Sequence, residues 1–249
     1  HGGFTNPGYD GHPHSWFSSS GLHGSRYSTL PGAQANEAIY EYSNDQPAAM
    51  LWYHDHAMGI TRLNAYSGLA ALYFIRDSKD TGTANNSLGL PAGAYEIPLV
   101  IQDKSFNADG SPFYPTEGIT AVHPIWVPEF FGDTPVVNGT AYPFHAVEPR
   151  RYRFRMVNGS QARFYNLSFN DGLGPISFHL IGMEQSLTPA PVRMTELLLA
   201  PGERADVIVD FTQMRDHTIT LLNNANAPYP GGGADAIDQI MQFKVNKPL

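Results

Sequence analysis

Two histidines stand one residue apart, His54 and His56, inside the run Trp52-Tyr53-His54-Asp55-His56, and a third, His1, heads the motif His1-Gly2-Gly3. Imidazole nitrogens suit zinc, copper, iron and nickel. Side chains alternate along an extended strand, so a His-x-His pair projects both rings to one face, with β-carbons roughly 6.5–7 Å apart. That separation lets two rings meet on one ion or hold two neighbouring ions, and the residues alone do not choose. Asp55 then faces the other side, a poor place for a direct ligand. The chain has no cysteine. Disulfides and Cys-based zinc sites are excluded, and so is a blue-copper centre built from this chain, because that centre needs a thiolate beside two histidines.

Other histidines invite blander readings. His12 and His14 flank Pro13 in a glycine-rich stretch, which predicts a loop and a structural or supporting role. His23, His123, His145, His179 and His217 are isolated, as ordinary surface or core histidines are. A free His1 could instead chelate a single copper through amine and ring, as in mono-copper polysaccharide oxygenases, given a second histidine nearby. A metal-dependent hydrolase is not supported, since Trp52-Tyr53 occupies the place of its upstream ligand pair. Glu148, Arg150, Arg153 and Arg155 could be mistaken for an anion site. Arginines alternating along one strand read rather as an interdomain or solvated salt-bridge face. Glu203 and Arg204, beside a Pro-Gly turn, invite the same reading. The seven methionines do not cluster.

The elements that must position these residues are β throughout. A chain of 249 residues holds one large domain or two smaller ones. Its 24 glycines and 20 prolines, spread along the whole length, predict many turns and few long helices. A formal net charge of −8, with four lysines among 15 basic residues, argues against a nucleic-acid surface or an anionic-membrane patch. No apolar run approaches a membrane span, and no signal peptide is evident. Residues 38–42 and 50–54 read as strands, 57–66 as a short helix with Met58, Ile60 and Leu63 on one side, and 68–75 as a buried strand. Residues 77–93 change character and read as a linker. Strands are expected at 97–102, 151–157, 165–169, 176–181, 195–199, 205–211, 218–222 and 240–245, with a hairpin over 136–142 around Asn138-Gly139. Asn85, Asn138, Asn158 and Asn166 sit in glycosylation sequons, but the Asn-Gly pairs at 138 and 158 read first as turns. The pattern after residue 94 fits a complete Greek-key sandwich. The first part has too few strands for one and needs strands from elsewhere.

His1-Gly2-Gly3, Asp10-Gly11-His12-Pro13, Trp52-Tyr53-His54-Asp55-His56-Ala57-Met58 and Thr61-Arg62-Leu63-Asn64 resemble the first domain of multicopper oxidases. The branch is that of spore-coat laccase, bilirubin oxidase and phenoxazinone synthase. Val137-Asn138-Gly139, Val147-Glu148-Pro149-Arg150-Arg151-Tyr152-Arg153-Phe154-Arg155 and Leu199-Ala200-Pro201-Gly202-Glu203-Arg204 look like that group's second domain. The resemblance implies an all-β protein of cupredoxin-like Greek-key sandwiches, one incomplete (residues 1–78), then a linker (79–93) and a complete sandwich (94–249). It implies a copper-dependent oxidase in which electrons from phenolic, bilirubin-like or metal-ion substrates enter at a type 1 copper. They pass to a trinuclear cluster that reduces dioxygen to water. By motif, His1, His54 and His56 correspond to type 3 copper ligands, His54 and His56 on different ions. Asp10 matches an acidic residue thought to help deliver protons.

The departures from the family pattern carry expectations too. The partner of His1 in its own His-x-His pair, a type 2 ligand, would precede it. Nothing after Leu249 resembles the third domain with its remaining cluster histidines, cysteine and axial methionine. The chain is therefore expected to be an internal piece, completed by first-domain and third-domain polypeptide and inactive alone. By resemblance, the compartment is extracellular, periplasmic or spore coat. The competing reading is a non-catalytic cupredoxin-like structural or binding module.

Overall fold

The computed structural model describes residues 1–118, 127–234 and 237–249. Most of the core lies between two sheets formed after residue 95. One sheet is eight-stranded. Its principal strands are β3 (Glu96–Phe106), β4 (Thr134–Val137), β6 (Arg151–Asn158), β8 (Phe178–Met183), β9 (Ser186–Met194) and β11 (Arg204–Asp210), in the order β9-β8-β11-β6-β3-β4. The facing six-stranded sheet has β7 (Tyr165–Asn170), β12 (Thr218–Asn223), β13 (Gln239–Val245) and β5 (Phe144–Val147) in that order, with β10 (Leu197–Leu199) also paired to β7. Two neighbouring pairs run parallel: β3 with β6 and β13 with β5. Parallel neighbours cannot be joined by a tight hairpin and need a crossover. These crossovers give the Greek-key sandwich that the cupredoxin-like expectation required.

Alternation along β6 shows how sequence becomes layers. Tyr152, Phe154 and Met156 enter the core between the sheets, where Phe154 meets Phe169 and Phe243 across the gap. Arg153, Arg155 and Val157 face outward, and all three are buried nonetheless. A strand pair, β1 (Ala49–His54) with β2 (Ala70–Ile75), lies over that outer face. Met50 and Trp52 pack on Val157, with Ala70, Leu72 and Phe74 beside them. Of the two readings of this face, interdomain or solvated, the solvated one fails: it is covered by β1 and β2. Arg153 grips both oxygens of Asp80 (2.9 and 2.7 Å) and donates from Nε to Asp206 at 2.9 Å. Arg155 donates to Glu96 at 3.0 Å. Burial opposes the Arg153 charge, but its hydrogen bonds to the Asp206 and Asp80 carboxylates outweigh it and raise its pKa. Burial alone would raise the Asp80 carboxyl; Arg153, with Arg155 and Arg76, holds it below the usual range.

Several expectations need correction. Residues 38–42 form no strand: Tyr40 and Tyr42 are exposed, and the Ile39 amide is taken by the Thr29 hydroxyl instead of a neighbouring strand. The helix is Thr61–Ser67, later than expected, and ends at Gly68, whose φ of 103° suits a left-handed cap. Its buried residue is Tyr66, hydroxyl-bonded to the Phe113 carbonyl, while Met58, Ile60 and Leu63 are exposed. Strand β2 is not buried on both faces, since only Ile75 is buried and Tyr73 stands exposed. The stretch expected over 176–181 breaks at Ser177: Pro175–Ile176 pairs with β7, and β8 joins the other sheet. Strand β9 was not expected at all. It is an exposed edge strand carrying Pro189 and Pro191, which lack the donors an interior strand needs. Residues 76–92 hold no helix or strand, but Asp80 within them is buried.

The turn reading holds at Asn138-Gly139 (φ 49° and 82°), and the Asn138 amide donates to the Pro98 carbonyl at 2.9 Å. At Asn158 it fails. That residue ends β6, is buried, and spends its amide on the Arg163 and Leu199 carbonyls. No helix among the described residues is long and apolar enough to cross a membrane.

Candidate metal centre

Strand β1 ends at His54, directly opposite Ala70 of β2. His56 lies two residues past the strand, so one strand face carries only the first of the pair. The two rings are 6.1 Å apart between centroids and tilted by 59°. Each is fixed from behind by a main-chain carbonyl. Nδ1 of His54 lies 2.7 Å from the Asp55 carbonyl, and Nδ1 of His56 lies 2.6 Å from the Gly11 carbonyl. A carbonyl oxygen can only accept, so each Nδ1 carries a proton, and the tautomer that binds a metal in this orientation offers its lone pair from Nε2. This backing is the usual support of a metal-ligating histidine. Asp55 therefore contributes its carbonyl to the site; its carboxylate Oδ2 is buried without a hydrogen-bond partner.

His1 reaches the same place from the start of the chain. Its main-chain nitrogen donates to the Trp52 carbonyl at 2.8 Å, and its ring stacks on Trp52 at 4.8 Å and 21°. Its Nε2 then lies 3.0 Å from Nε2 of His54. Either a proton carried by one of the two nitrogens, making a hydrogen bond, or a shared cation accounts for that distance. Two nitrogens bound to one ion at about 2.0 Å stand about this far apart. The donor set thus fits a metal ion shared by His1 and His54, and imidazole suits copper well. Among the described residues no three His, Asp or Glu side chains converge on one point. His56 stands beside the pair, its ring centroid 6.1 Å from that of His54.

Asp10 follows a short turn, Pro7–Tyr9, is exposed, and accepts a hydrogen bond from the Thr5 hydroxyl at 3.2 Å. It directly precedes Gly11, whose carbonyl holds His56. Burial raises the Tyr42 phenol pKa, and the nearby Asp10 charge adds to that shift. His12 and His14 sit in a loop, the His14 amide donating to His12 Nδ1 at 3.0 Å. That bond ties the two residues to each other. His23 stacks on Tyr27. His145 and His179 belong to strands β5 and β8, and His217 precedes β12. His123 lies outside the described residues. Sequence reasoning gave Gly202 no role beyond a turn. Its carbonyl accepts from the Trp52 indole at 3.2 Å, and its Cα faces the His1 ring.

Residues 52–236 match the sequence model of the multicopper oxidase family. The chain belongs to the multicopper oxidases. Over 257 aligned residues this multicopper oxidase chain is 42% identical to a laccase of Bacillus subtilis, with all of this chain and 46% of that protein covered. It is 39% identical to a laccase of Haloferax volcanii, with 100% and 40% covered. Among solved structures, the McoA multicopper oxidase of the hyperthermophile Aquifex aeolicus superposes with a TM-score of 0.71 at 36% identity, covering 82% of this chain and 42% of that one. The chain thus spans about half the length of the relatives it matches. Membership makes it part of a copper-dependent oxidoreductase family with cupredoxin-like sandwiches.

Proposed function

We propose that the chain is part of a laccase-like oxidase that takes electrons from phenolic, bilirubin-like or metal-ion substrates and reduces dioxygen to water. It supplies half of a type 3 copper site. The reading divides the chain into the end of a first sandwich (1–78), a linker (79–93) and a second sandwich (94–249). Its remaining partners are first-domain and third-domain polypeptide carrying the other cluster ligands, including those shared with a type 2 copper, and the type 1 centre. The observation that carries it is the approach of the His1 and His54 Nε2 atoms to 3.0 Å, with their neighbour His56 held by the Gly11 carbonyl.

In this reading His1 and His54 would hold one copper, and His56 would hold its neighbour. The metal would supply one-electron chemistry and a binding place for dioxygen. The chain's own residues do the rest. The Asp55 and Gly11 carbonyls keep the Nδ1 protons in place, so that Nε2 stays a donor. Trp52 keeps His1 flat against the strand and shields that side from water. Asp10 takes protons from solvent and passes them toward the site, where four are consumed per dioxygen.

Metal analysis and dioxygen uptake of the whole oxidase test this. His54→Ala and His56→Ala should each lose copper and dioxygen reduction while the blue absorption of the type 1 centre persists. The 249-residue chain alone should show neither blue absorption nor turnover. A whole protein that binds no copper would support the non-catalytic module instead.

A further inference from the structure

The His1 ring has one wall from Trp52 of β1 and another from the sandwich formed after residue 95. The second wall is the turn at Pro201-Gly202. A β-carbon built on Gly202 would lie 3.4 Å from Cε1 of His1 and 3.9 Å from the Trp52 ring, and the residue's φ is 85°. One side chain fixes both this turn and the main chain at His1. Arg204 is 3% exposed and opens strand β11 immediately after the turn. Its Nη1 donates to the Gly202 carbonyl at 3.0 Å and to the Glu184 carboxylate. Its Nη2 donates to the Glu184 carbonyl at 2.9 Å and reaches the His1 carbonyl at 3.4 Å, and Nε points at the Met50 carbonyl of β1 at 3.5 Å.

The residue after His1 records the same contact. A β-carbon at Gly2 would lie 2.7 Å from Nη2 of Arg204, and Gly2 also has φ 85°. Glycine is required there on two counts, backbone conformation and room for the guanidinium. A planar guanidinium presents five donors in a fixed fork, so one group can hold several carbonyls at set angles. A lysine in its place would be a single point charge on a flexible stem.

We infer that Arg204 is a positioning residue for the metal centre. From the second sandwich it sets the His1 carbonyl and the Gly202 turn, and through them the direction of the His1 Nε2 lone pair. This rests on the reading of His1 and His54 as a copper pair. It adds that the site's geometry is fixed by a residue that touches no metal. Supporting partners of this kind are worth about 10–100-fold in metal affinity or activity.

The test uses the whole copper-loaded oxidase and two variants, Arg204→Lys and Gly2→Ala, the second in case the first fails to fold. Copper affinity is measured by chelator competition, the coppers by electron paramagnetic resonance, and the type 1 centre by its blue absorption. Expected for either variant is a roughly 10–100-fold weaker hold on cluster copper, an altered paramagnetic signal from the cluster, and unchanged blue absorption. Wild-type affinity and signal in folded variants would overturn the inference. So would parallel loss of the cluster and the blue absorption together with a lower melting temperature, since a merely structural residue behaves that way. His54→Ala is the control for the underlying reading. If it too leaves copper and turnover intact, that reading fails. If it abolishes them while Arg204→Lys does not, only the inference about Arg204 fails.

Discussion

The carboxylate of Asp10 is exposed, which suits a group that trades protons with water and not one that binds metal. Its neighbour Gly11 holds His56 by the main chain, so the two roles are separated by one residue. Asp10→Asn keeps the shape and removes the exchangeable proton. Positioned proton transfer contributes about 10²–10⁴-fold to a rate. Turnover of the whole oxidase should fall within that range, with copper content unchanged, and most strongly at high pH, where solvent protons are too scarce to substitute. Dioxygen uptake measured against pH checks it, and a uniform small loss at every pH would count against the proton role. The histidines themselves were legible from spacing and motif. Their convergence was expected from the family resemblance alone, because nothing in the spacing of His1 and His54, 53 positions apart, says that their nitrogens meet.

Single elements divide into those that local chemistry specifies and those that neighbours impose. The Asn138-Gly139 hairpin is of the first kind, since both central residues need positive φ and the sequence supplies the two residue types that tolerate it. No atom lies within 4 Å of a β-carbon built on Gly139, so Gly139→Ala meets no clash and its cost is all backbone. We expect a loss of about 1–2 kcal/mol, read from the denaturant midpoint with an unchanged slope. Strand β9 and the absent strand at 38–42 are of the second kind. Pro189 and Pro191 look like loop residues until an edge position frees them from donating. Ile39-Tyr40-Glu41-Tyr42 looks like a strand, but the Thr29 hydroxyl takes the Ile39 amide and no ladder forms. Short apolar segments take the conformation that their hydrogen-bond partners allow.

Over the whole molecule, the buried ion cluster joins the segment before β3 to the outer face of the eight-stranded sheet. Asp80 comes from residues without regular structure, Glu96 from β3, Arg153 and Arg155 from β6, and Asp206 from β11. Removing one member strands a buried charge, which costs about 3–5 kcal/mol. Asp80→Asn should lose stability of that order in urea unfolding at neutral pH. The carboxyl of Asp80 is held below its unfolded value of about 3.9. Its contribution is therefore complete above that pH and disappears as pH falls through the lower, folded value. Unfolding monitored across the acid range should show the wild type losing more stability than Asp80→Asn. A mutant with the same acid profile would mean that Asp80 is not the group responsible.

By itself, the sequence determined the β character, the Greek-key pattern of strands, the family and the short list of imidazoles that could hold copper. Those properties are written in residue types at fixed local spacing: alternation for strands, Asn-Gly for the hairpin, His-x-His for ligands. Tertiary structure alone decided that the arginine face of β6 is an interior. It also brought His1 to His54 and set the Gly202 turn and Arg204, at the start of β11, behind the His1 ring. Such contacts join positions up to 203 residues apart. They follow from how sheets stack and which segment covers which face, and no periodicity along the chain records that.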